Sequence, residues 1–344
     1  MQEGFAKQFE PLWGKWYVKD YLGEGSCGKV WLLNQKETDN DSALKEIVIS
    51  ADLGNYRQAL AEGLDIYGMK GFFRSAFEET LQEINIMKEL SFCPNIVRFD
   101  DVLVFALPDK RIIDLSTKDK IRNLDADGWV ILIRMELLTP LKNRIMDRSL
   151  LVSDIHLLGL HMCKALIACE DNYIIHRDIK PDNIFWKKDD NSFKLGDFGL
   201  ARMLNRPTEE KGRTGTLTHM SPEVYSGKPF SIKDDLYALG MMLYKLLNEN
   251  RIPFLPRFPQ PYTPRERDRA LYRRLEGDNP PLPTTAYYAG NNQIADFGFT
   301  IPFSETEREL AAKLGIIAQK AISSDLSARY ISAQDMYDAL SSLI

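Results

Sequence analysis

The segment from His176 to Asn183, with the sequence His-Arg-Asp-Ile-Lys-Pro-Asp-Asn, constrains this chain more than any other. Asp178 supplies a carboxylate that can accept or orient a hydroxyl proton. Asn183 supplies an amide oxygen, and Asp197, fourteen residues later in Asp197-Phe198-Gly199, supplies a second carboxylate. Such oxygens are the ligands that Mg²⁺ prefers, and Lys180 can offset negative charge on a reacting group. The fold must therefore bring these side chains together, because so many specified positions in order are not typical of a surface turn.

A second motif, Gly23-Glu24-Gly25-Ser26-Cys27-Gly28-Lys29-Val30, fits the pattern G-x-G-x-x-G-x-V. Glycines let backbone N–H groups approach phosphate oxygens without a clash from a Cβ atom. The same spacing occurs in dinucleotide-binding turns, but there it opens a helix. Here an apolar run, 29 to 33, continues as a strand, so we predict that the glycines lie at the tip of a β-hairpin. Taken alone, the motif is equally compatible with an ordinary hairpin turn.

Lys45 lies on a third predicted strand, in Ala43-Leu44-Lys45. By itself such a lysine is typical of a solvated surface. Opposite a glycine-rich hairpin, its ammonium can instead reach nucleotide phosphates, provided that a carboxylate holds it. We predict that Glu83 is this carboxylate, because it lies on the inner face of an amphipathic helix beside Ile84 and Met87. The competitors, which we expect to be solvated, are Glu78, Glu79 and Glu89.

The hydrophobic pattern changes along the chain. Short β-rich runs at 16 to 22, 29 to 33, 42 to 49, 96 to 107 and 129 to 137 surround one helical pattern at 72 to 90. Beyond residue 150 the periodicity is helical, with helices predicted to begin at Ser153 and Ser231 and to cover 305 to 321 and 332 to 343. The interpretation is an α+β fold, with a small β-rich unit over 1–138 and a larger, mainly helical unit over 139–344.

Composition excludes several classes of protein. A net charge of −5 argues against nucleic acid as the main partner, because binding phosphates needs a basic face. The four cysteines form no Cys-x-x-Cys pair, which favours reduced thiols and a cytoplasmic location. The sequence shows neither a secretion signal nor eighteen consecutive apolar residues, so we predict no membrane segment. Nothing in the sequence indicates an oligomeric state.

Together these motifs resemble the eukaryotic-type (Hanks-type) serine/threonine protein kinase family, from about Tyr17 to Leu343. The resemblance implies a bilobal kinase-like fold that transfers the γ-phosphoryl group of ATP, with Mg²⁺ or Mn²⁺, to hydroxyls of a protein substrate, including its own chain. It assigns nucleotide binding to Leu22, Gly23, Gly25, Gly28, Val30, Ala43, Lys45 and Glu83. It makes Asp178 the catalytic base, Lys180 a charge-neutralising residue, Asn183 and Asp197 the metal ligands, and Thr216 a residue that positions the substrate hydroxyl.

The resemblance also implies structural contacts. Met220-Ser221-Pro222-Glu223 stands where the family has Ala-Pro-Glu, with Ser221 in place of the alanine. Glu223 is expected to form a buried ion pair with Arg329, and Asp235 to hold the backbone of the catalytic loop. His176 is interpreted as a packed core residue rather than an acid or a base.

Regulation is expected in the stretch from Asp197 to Glu223, since Arg177 can bind a phosphate added there. Thr214 is the leading candidate for phosphorylation, and Thr208 and Thr218 are further threonines of the same stretch. Cys27 departs from the family pattern and is either a tolerated residue or a thiol whose modification blocks ATP. The arginines at 257, 265, 267, 269, 273 and 274 form either a solvated helix face or a docking site for an acidic partner.

Two rival functions remain open at this level. A pseudokinase would bind ATP or act as a scaffold. The loss of a catalytic residue would favour that function, but Lys45, Asp178, Asn183 and Asp197 are all present. A kinase acting on a small molecule is disfavoured by the Ser-Pro-Glu element, which shapes a platform for a polypeptide. A second Asp-Phe-Gly, at 296 to 298, is interpreted as coincidence, and the insertions at 50–71 and 108–127 have no assigned role.

Overall fold

The structure, a computed structural model, describes residues 4–25, 28–50, 63, 65–113, 126, 128–147, 150–203, 217–285 and 304–343. The strands are β1 (Trp16–Gly25), β2 (Gly28–Gln35), β3 (Asn40–Ser50), β4 (Phe99–Leu107), β5 (Arg111–Ile112), β6 (Gly128–Met135), β7 (Thr139–Pro140), β8 (Ile174–Ile175), β9 (Ile184–Lys187), β10 (Ser192–Leu195) and β11 (Arg202–Met203). The helices are α1 (Ile66–Glu89), α2 (Leu141–Met146), α3 (Val152–Asp171), α4 (Pro222–Tyr225), α5 (Ile232–Leu246), α6 (Pro264–Leu275), α7 (Glu305–Ala321) and α8 (Ala333–Ser341).

The chain divides into two units. The first comprises 1–91 and 97–138, and the second comprises 92–96 and 139–344. The predicted border after residue 138 therefore lies where the structure has it, except that 92–96 belong to the second unit. Asn95 explains the exception, because its side chain donates to the Phe193 carbonyl at 3.0 Å and its own carbonyl accepts the Leu195 N–H at 2.8 Å.

The first unit is built on a six-stranded sheet with strand order β1-β2-β3-β6-β4-β5. Each neighbouring pair is antiparallel, and Lys45 on β3 lies opposite Val30 on β2 and Ile133 on β6. Because side chains alternate along a strand, Leu44 and Glu46 face the opposite side of the sheet from Lys45. The sheet thus separates an apolar face from the face that carries the predicted phosphate-binding lysine.

The N-terminal residues close the apolar face of this sheet. A 3-10 turn at Phe5–Phe9 places Ala6 against the sheet, and the Ala6 N–H donates to the buried Glu46 carboxylate at 2.6 Å. The resulting core comprises Ala6, Leu12, Trp16, Trp31, Leu33, Leu44, Phe105, Val130 and Leu132. No element before residue 16 is predicted from the sequence, since a single 3-10 turn carries no hydrophobic period.

Helix α1 begins at Ile66, six residues before the predicted start. Asp65 caps it, since its carboxylate accepts the Gly68 N–H at 2.8 Å, a contact that satisfies one of the open N–H groups of a first turn. The predicted apolar face is buried, and Phe77 stacks on Trp129 of β6 with ring centroids 4.5 Å apart. The end of the 50–71 insertion is therefore helical, whereas 51–62 and 64 lie outside the described residues.

Helix α3 forms the centre of the second unit. Its start was predicted wrongly, because Leu151 is the cap residue and Ser153 lies within the first turn. Asp154 supplies the capping contact instead, by accepting the Leu151 N–H at 3.1 Å. Among the described helices, α3 is the one whose length and composition would also suit a bilayer, and 72% of that apolar stretch is buried inside the protein.

The remaining predicted helix starts are confirmed. Ser231, Ser304 and Ser332 are the cap residues of α5, α7 and α8. Helices α5 and α7 approach closely at Gly240, where an added Cβ would overlap that of Ala321 and lie 3.1 Å from Cγ2 of Ile322. The absence of a side chain at Gly240 therefore allows the contact between these two helices.

We expect Gly240→Ala to lower the free energy of unfolding by about 1–3 kcal/mol, because the added methyl group must push α5 and α7 apart. The matched control is Gly71→Ala on α1, an exposed position with no atom within 4 Å of the new Cβ. It should raise stability by about 0.5–1 kcal/mol through helix propensity. Urea unfolding monitored by circular dichroism measures both, and equal stabilisation by the two changes would contradict the packing argument.

Candidate active site

Asp235, on the first turn of α5, fixes the start of the loop that carries the predicted catalytic residues. Its Oδ2 accepts the His176 N–H at 2.7 Å, and its Oδ1 accepts the Arg177 N–H at 2.8 Å. Arg177 has a left-handed backbone with φ of 71°, a conformation that needs such support in a residue with a Cβ. Burial raises the pKa of Asp235 to about 7, while the two N–H groups act in the opposite direction. The predicted contact between Asp235 and the loop backbone is thus present.

His176 is fully buried and makes contacts through both ring nitrogens. Nδ1 accepts the Asp178 N–H at 3.3 Å, so Nε2 carries the proton and donates to the Gly196 carbonyl at 3.1 Å. Burial lowers the pKa of His176, which keeps this neutral tautomer. The ring also packs edge-on against Phe198, with centroids 4.8 Å apart. The geometry agrees with the interpretation of His176 as a packed residue that links the loop to the Asp197-Phe198-Gly199 turn.

Asp178 is held by two side chains of its own loop. The Lys180 ammonium donates to Oδ2 at 2.6 Å, and the Asn183 amide donates to Oδ2 at 2.9 Å and to the Asp178 carbonyl at 2.8 Å. Since both amide hydrogens of Asn183 bind Asp178, its amide oxygen is the atom left to act as a metal ligand. A 3-10 turn, Pro181–Asn183, supplies the backbone geometry that brings Asn183 back to Asp178.

Asp197 is carried next to Asn183 by the hairpin of β9 and β10. The Gly196 N–H donates to the Asn183 carbonyl at 2.9 Å, so the two segments are joined one residue before Asp197. Asp197 is half-buried and has a left-handed backbone with φ of 59°. A carboxylate and an amide oxygen are hard ligands, which suit Mg²⁺ or Mn²⁺ better than a soft metal. The residues therefore fit a divalent cation.

In the first unit, Gly25 and Gly28 face each other at the tip of the β1–β2 hairpin. Gly28 has φ of 140°, and a Cβ there would overlap the Glu46 carbonyl, so the position requires glycine. The predicted hairpin is confirmed. Gly23 lies opposite Val30 within it, whereas Ser26 and Cys27 lie outside the described residues.

Lys45 and Glu83 form the predicted ion pair in the first unit. The ammonium lies 2.7 Å from Oε1, and the two side chains are only 12% and 5% exposed. Because both side chains are largely buried, this ion pair is stronger than one at the surface, where water screens the charges. The three competing glutamates are exposed, and Glu78 pairs with Arg74 instead. The nearby sequence-predicted residues Leu22 and Ala43 are exposed and buried, respectively.

The end of the predicted activation stretch is anchored by buried polar contacts. Arg329 binds Glu223 through two N–H···O contacts of 2.9 and 3.2 Å, as predicted. The Ser221 hydroxyl donates to the Asp234 carboxylate at 2.5 Å, and it also accepts the Val224 N–H. Ser221 thus forms contacts that the alanine of the family pattern lacks.

Arg274 is a residue that the sequence analysis missed. Its buried guanidinium donates to the carbonyls of Leu217 at 2.7 Å and Met220 at 2.5 Å, and to the Tyr237 hydroxyl at 2.9 Å. It therefore fixes 217 to 220 against α5 and α6. Among six neighbouring arginines it carried no distinguishing signal except its place beside Leu275 on the apolar face of α6.

Several predicted residues lie outside the described part of the chain. They are Thr208, Thr214, Thr216 and the second Asp-Phe-Gly at 296 to 298. Their assignments stay predictions.

Comparison with known proteins connects this arrangement to a family. The family model described as protein kinase domain matches residues 16–257. The chain is 43% identical over 236 residues to human serine/threonine-protein kinase Nek5 and 30% identical over 228 residues to mouse serine/threonine-protein kinase Nek1. It is 28% identical over 255 residues to serine/threonine-protein kinase PkaA of Streptomyces coelicolor. The matches cover 67%, 65% and 71% of this chain, but only 28%, 16% and 40% of those relatives.

His219 is a buried titratable residue of the anchored stretch 217 to 220. It is buried, its Nδ1 lies 3.2 Å from the Thr218 hydroxyl, and its Nε2 has no hydrogen-bond partner among the described residues. Burial lowers the pKa of His219 to about 3, and the cations of Lys245, Arg274 and Lys180 contribute to the decrease. The ring is therefore neutral in the folded chain throughout the physiological range.

Between about pH 6.5 and pH 3 the unfolded chain binds a proton at His219 that the folded chain excludes, so stability falls as the pH falls. We expect His219→Leu to remove this contribution and to reduce the pH slope of the unfolding free energy by up to about 1.4 kcal/mol per unit. Asp235 contributes to the pH dependence with the opposite sign. Its pKa is raised in the folded chain, so its contribution to the free energy of unfolding decreases as the pH rises toward 7. Because Asp235 is present in both chains, the difference in unfolding free energy between the native chain and His219→Leu reports His219 alone. If urea titrations give the same pH slope for both chains, the assignment is contradicted.

Proposed function

The chain belongs to the protein kinase domain family, and on that premise we propose that it transfers the γ-phosphoryl group of ATP to serine or threonine hydroxyls of proteins. The observation that carries this proposal is the arrangement of Lys180 and Asn183 on the Asp178 carboxylate, at 2.6 and 2.9 Å. It supplies a base, a cation and a metal-ligand oxygen within one loop.

The reaction is an in-line displacement at the γ-phosphorus. The substrate hydroxyl oxygen forms the new P–O bond, its proton goes to Asp178, and the bond to the bridging oxygen of ADP breaks. Lys180 stabilises negative charge on the transferred group, since its ammonium already lies beside Asp178 Oδ2. Asn183 and Asp197 would hold Mg²⁺, or Mn²⁺, which neutralises phosphate charge when bound.

In the first unit, the glycine hairpin and Lys45 bind the phosphates of the nucleotide. Glu83 holds Lys45 in place, and glycines at the hairpin tip let backbone N–H groups approach phosphate oxygens without a clash from a Cβ atom. Leu22, Val30 and Ala43 contribute apolar contacts to the nucleotide base.

A pseudokinase function is less well supported than an active kinase. Such a protein has no need of an anchored base, yet Asp178 is 8% exposed and bonded by two side chains, and Lys45 retains its Glu83 partner. A small-molecule kinase is also disfavoured. The stretch 217 to 220 is fixed by Arg274, and Ser221 by Asp234, which creates a rigid surface suited to an extended polypeptide.

The proposal extends to the setting of the enzyme. We include a cytoplasmic location in the proposal, because Cys93, Cys163 and Cys169 are free thiols and reduced thiols are typical of that compartment. Autophosphorylation, with Thr214 as the acceptor and Arg177 as the group that binds its phosphate, is part of the same proposal.

The direct experiment measures transfer of radiolabelled phosphate from ATP to the chain itself and to a generic protein substrate, with Mg²⁺ or Mn²⁺. We expect Asp178→Asn to lower kcat by about 10²- to 10⁴-fold, because the amide cannot accept the hydroxyl proton. Phosphoamino-acid analysis should find phosphoserine or phosphothreonine.

The matched control is Asp189→Asn, an exposed aspartate in the turn between β9 and β10, which should retain native activity. Equal labelling by the native chain and Asp178→Asn, or no labelling by the native chain, would overturn the proposal.

A further inference from the structure

The second unit carries a group of cations beside the catalytic loop. Lys245 is half-buried near the end of α5, and Arg267 and Arg274 lie seven residues apart on α6, which places them on one face of that helix. Burial lowers the pKa of Lys245. The positive charges of Arg267 and Arg274 lower it further, and the negative charge of Asp182 on the catalytic loop raises it. The contact of 2.9 Å between Arg274 and the Tyr237 hydroxyl joins α6 to α5, and Lys245 lies two turns after Tyr237 on α5. Met220, whose carbonyl Arg274 binds, lines a small cavity together with Asp178 and Ile179 of the catalytic loop. The effects on the pKa of Lys245 agree with this placement. We call Lys245, Arg267 and Arg274 the cationic cluster.

The acids near the cationic cluster already have other partners. Asp182 lies 3.5 Å from the Lys142 ammonium, and Asp178 binds Lys180. Glu266 accepts hydrogen bonds from the N–H and the hydroxyl of Thr263, the cap residue of α6. Within the described residues Lys245 forms no ion pair, so the cationic cluster keeps an excess of positive charge.

The other side of α6 is different in charge. Arg269 and Arg273 face a cavity of about 730 Å³, but Glu266 also lines it, and Arg273 is bound to Asp278 at 2.7 Å. That face has the mixed charges of a solvated helix. Arg257, Arg269 and Arg273 thus share this cavity, whereas Arg274 binds 217 to 220, near the end of the predicted activation stretch.

The position of the cationic cluster relates it to a bound polypeptide. Arg274 holds the carbonyls of Leu217 and Met220, and the Leu217 side chain is 41% exposed beside it. Burial is the main cause of the lowered pKa of His219, and Lys245 and Arg274 of the cationic cluster add to it, in agreement with their position near 217 to 220. A partly desolvated cation attracts an anion more strongly than a surface lysine does.

We propose that the cationic cluster binds an aspartate or glutamate side chain of the substrate, which makes this an enzyme that prefers acidic sequences around the phosphorylated residue. The inference rests on the proposed kinase function and specifies its substrate class. Lys245 is the central contact, because it combines partial burial with proximity to the catalytic loop. Arg274 holds the platform and Arg267 adds charge at the exposed edge.

The test uses two serine peptides of equal length, one with glutamates and one with lysines around the serine. The native chain should show kcat/KM about tenfold higher for the acidic peptide. Lys245→Glu should bring that ratio to one or below, and Lys245→Met should give an intermediate value. Lys233→Glu on the same helix, whose ammonium lies 3.5 Å from the Leu326 carbonyl, is the charge-matched control and should keep the native ratio.

A second measurement separates this inference from the catalytic proposal. Fluorescence anisotropy with peptides that carry alanine in place of serine reports binding without phosphoryl transfer. Tighter binding of the acidic peptide, weakened by Lys245→Glu and by added salt, supports the cationic cluster even in a chain that does not phosphorylate. Equal binding and equal kcat/KM for the two peptides, or a native preference unchanged in Lys245→Glu, would overturn it.

Discussion

The two hydrogen bonds that Asp235 accepts from the backbone of His176 and Arg177 are the contacts on which the catalytic loop depends. They hold a left-handed residue in place and seat a neutral histidine in the core. From there the geometry follows in steps. His176 donates to the Gly196 carbonyl, Asp178 follows two residues later in the loop, and the Asn183 side chain binds Asp178. A buried carboxylate is costly unless hydrogen-bonded, and here its two acceptor oxygens are used to order a chemically active segment.

A second layer of buried charges fixes the platform that follows. Arg329 with Glu223, Arg274 with two carbonyls and Tyr237, and Asp234 with Ser221 all converge on 217 to 223. A buried ion pair such as Arg329–Glu223 adds little net stability, but removing one partner from any of these contacts leaves a buried charge or polar group without its hydrogen bond. Their consequence here is an ordered surface next to Asp178, which suits the polypeptide substrate that we propose.

Much of the fold could be predicted from hydrophobic period and turn chemistry. The glycine hairpin, the strand that carries Lys45 and the helix that carries Glu83 followed from these signals. Helical period also separated Glu83 from three other glutamates, because it alone shares the buried face with Ile84 and Met87. The contacts of Asp235 and of Glu223 with Arg329 came from family resemblance, since no local pattern relates residues so distant in sequence.

Other features had no local signal. The N-terminal turn covers the sheet through the hydrogen bond from the Ala6 N–H to the Glu46 carboxylate, and this contact between distant residues leaves no local pattern in the sequence. The start of α3 was predicted wrongly because Ser153 is a good cap residue, whereas Asp154 reaches back to a leucine and makes the capping contact. Arg274 was hidden among five other arginines, and its role depends on carbonyls that only the folded chain brings within reach.

The central claim is that Asp235 acts by positioning the catalytic loop, and Asp235→Asn tests it most directly. An amide offers only one acceptor oxygen, so one of the two N–H groups loses its partner. Asp154→Asn, a buried aspartate that also accepts a backbone N–H at a helix start, is the matched control for lost stability. Phosphoryl-transfer kinetics on both variants, with folding checked by circular dichroism, should show kcat at least about tenfold lower for Asp235→Asn, with KM for ATP little changed and Asp154→Asn near native. A native kcat in a folded Asp235→Asn variant, or an equal loss of kcat in Asp154→Asn, would contradict the account.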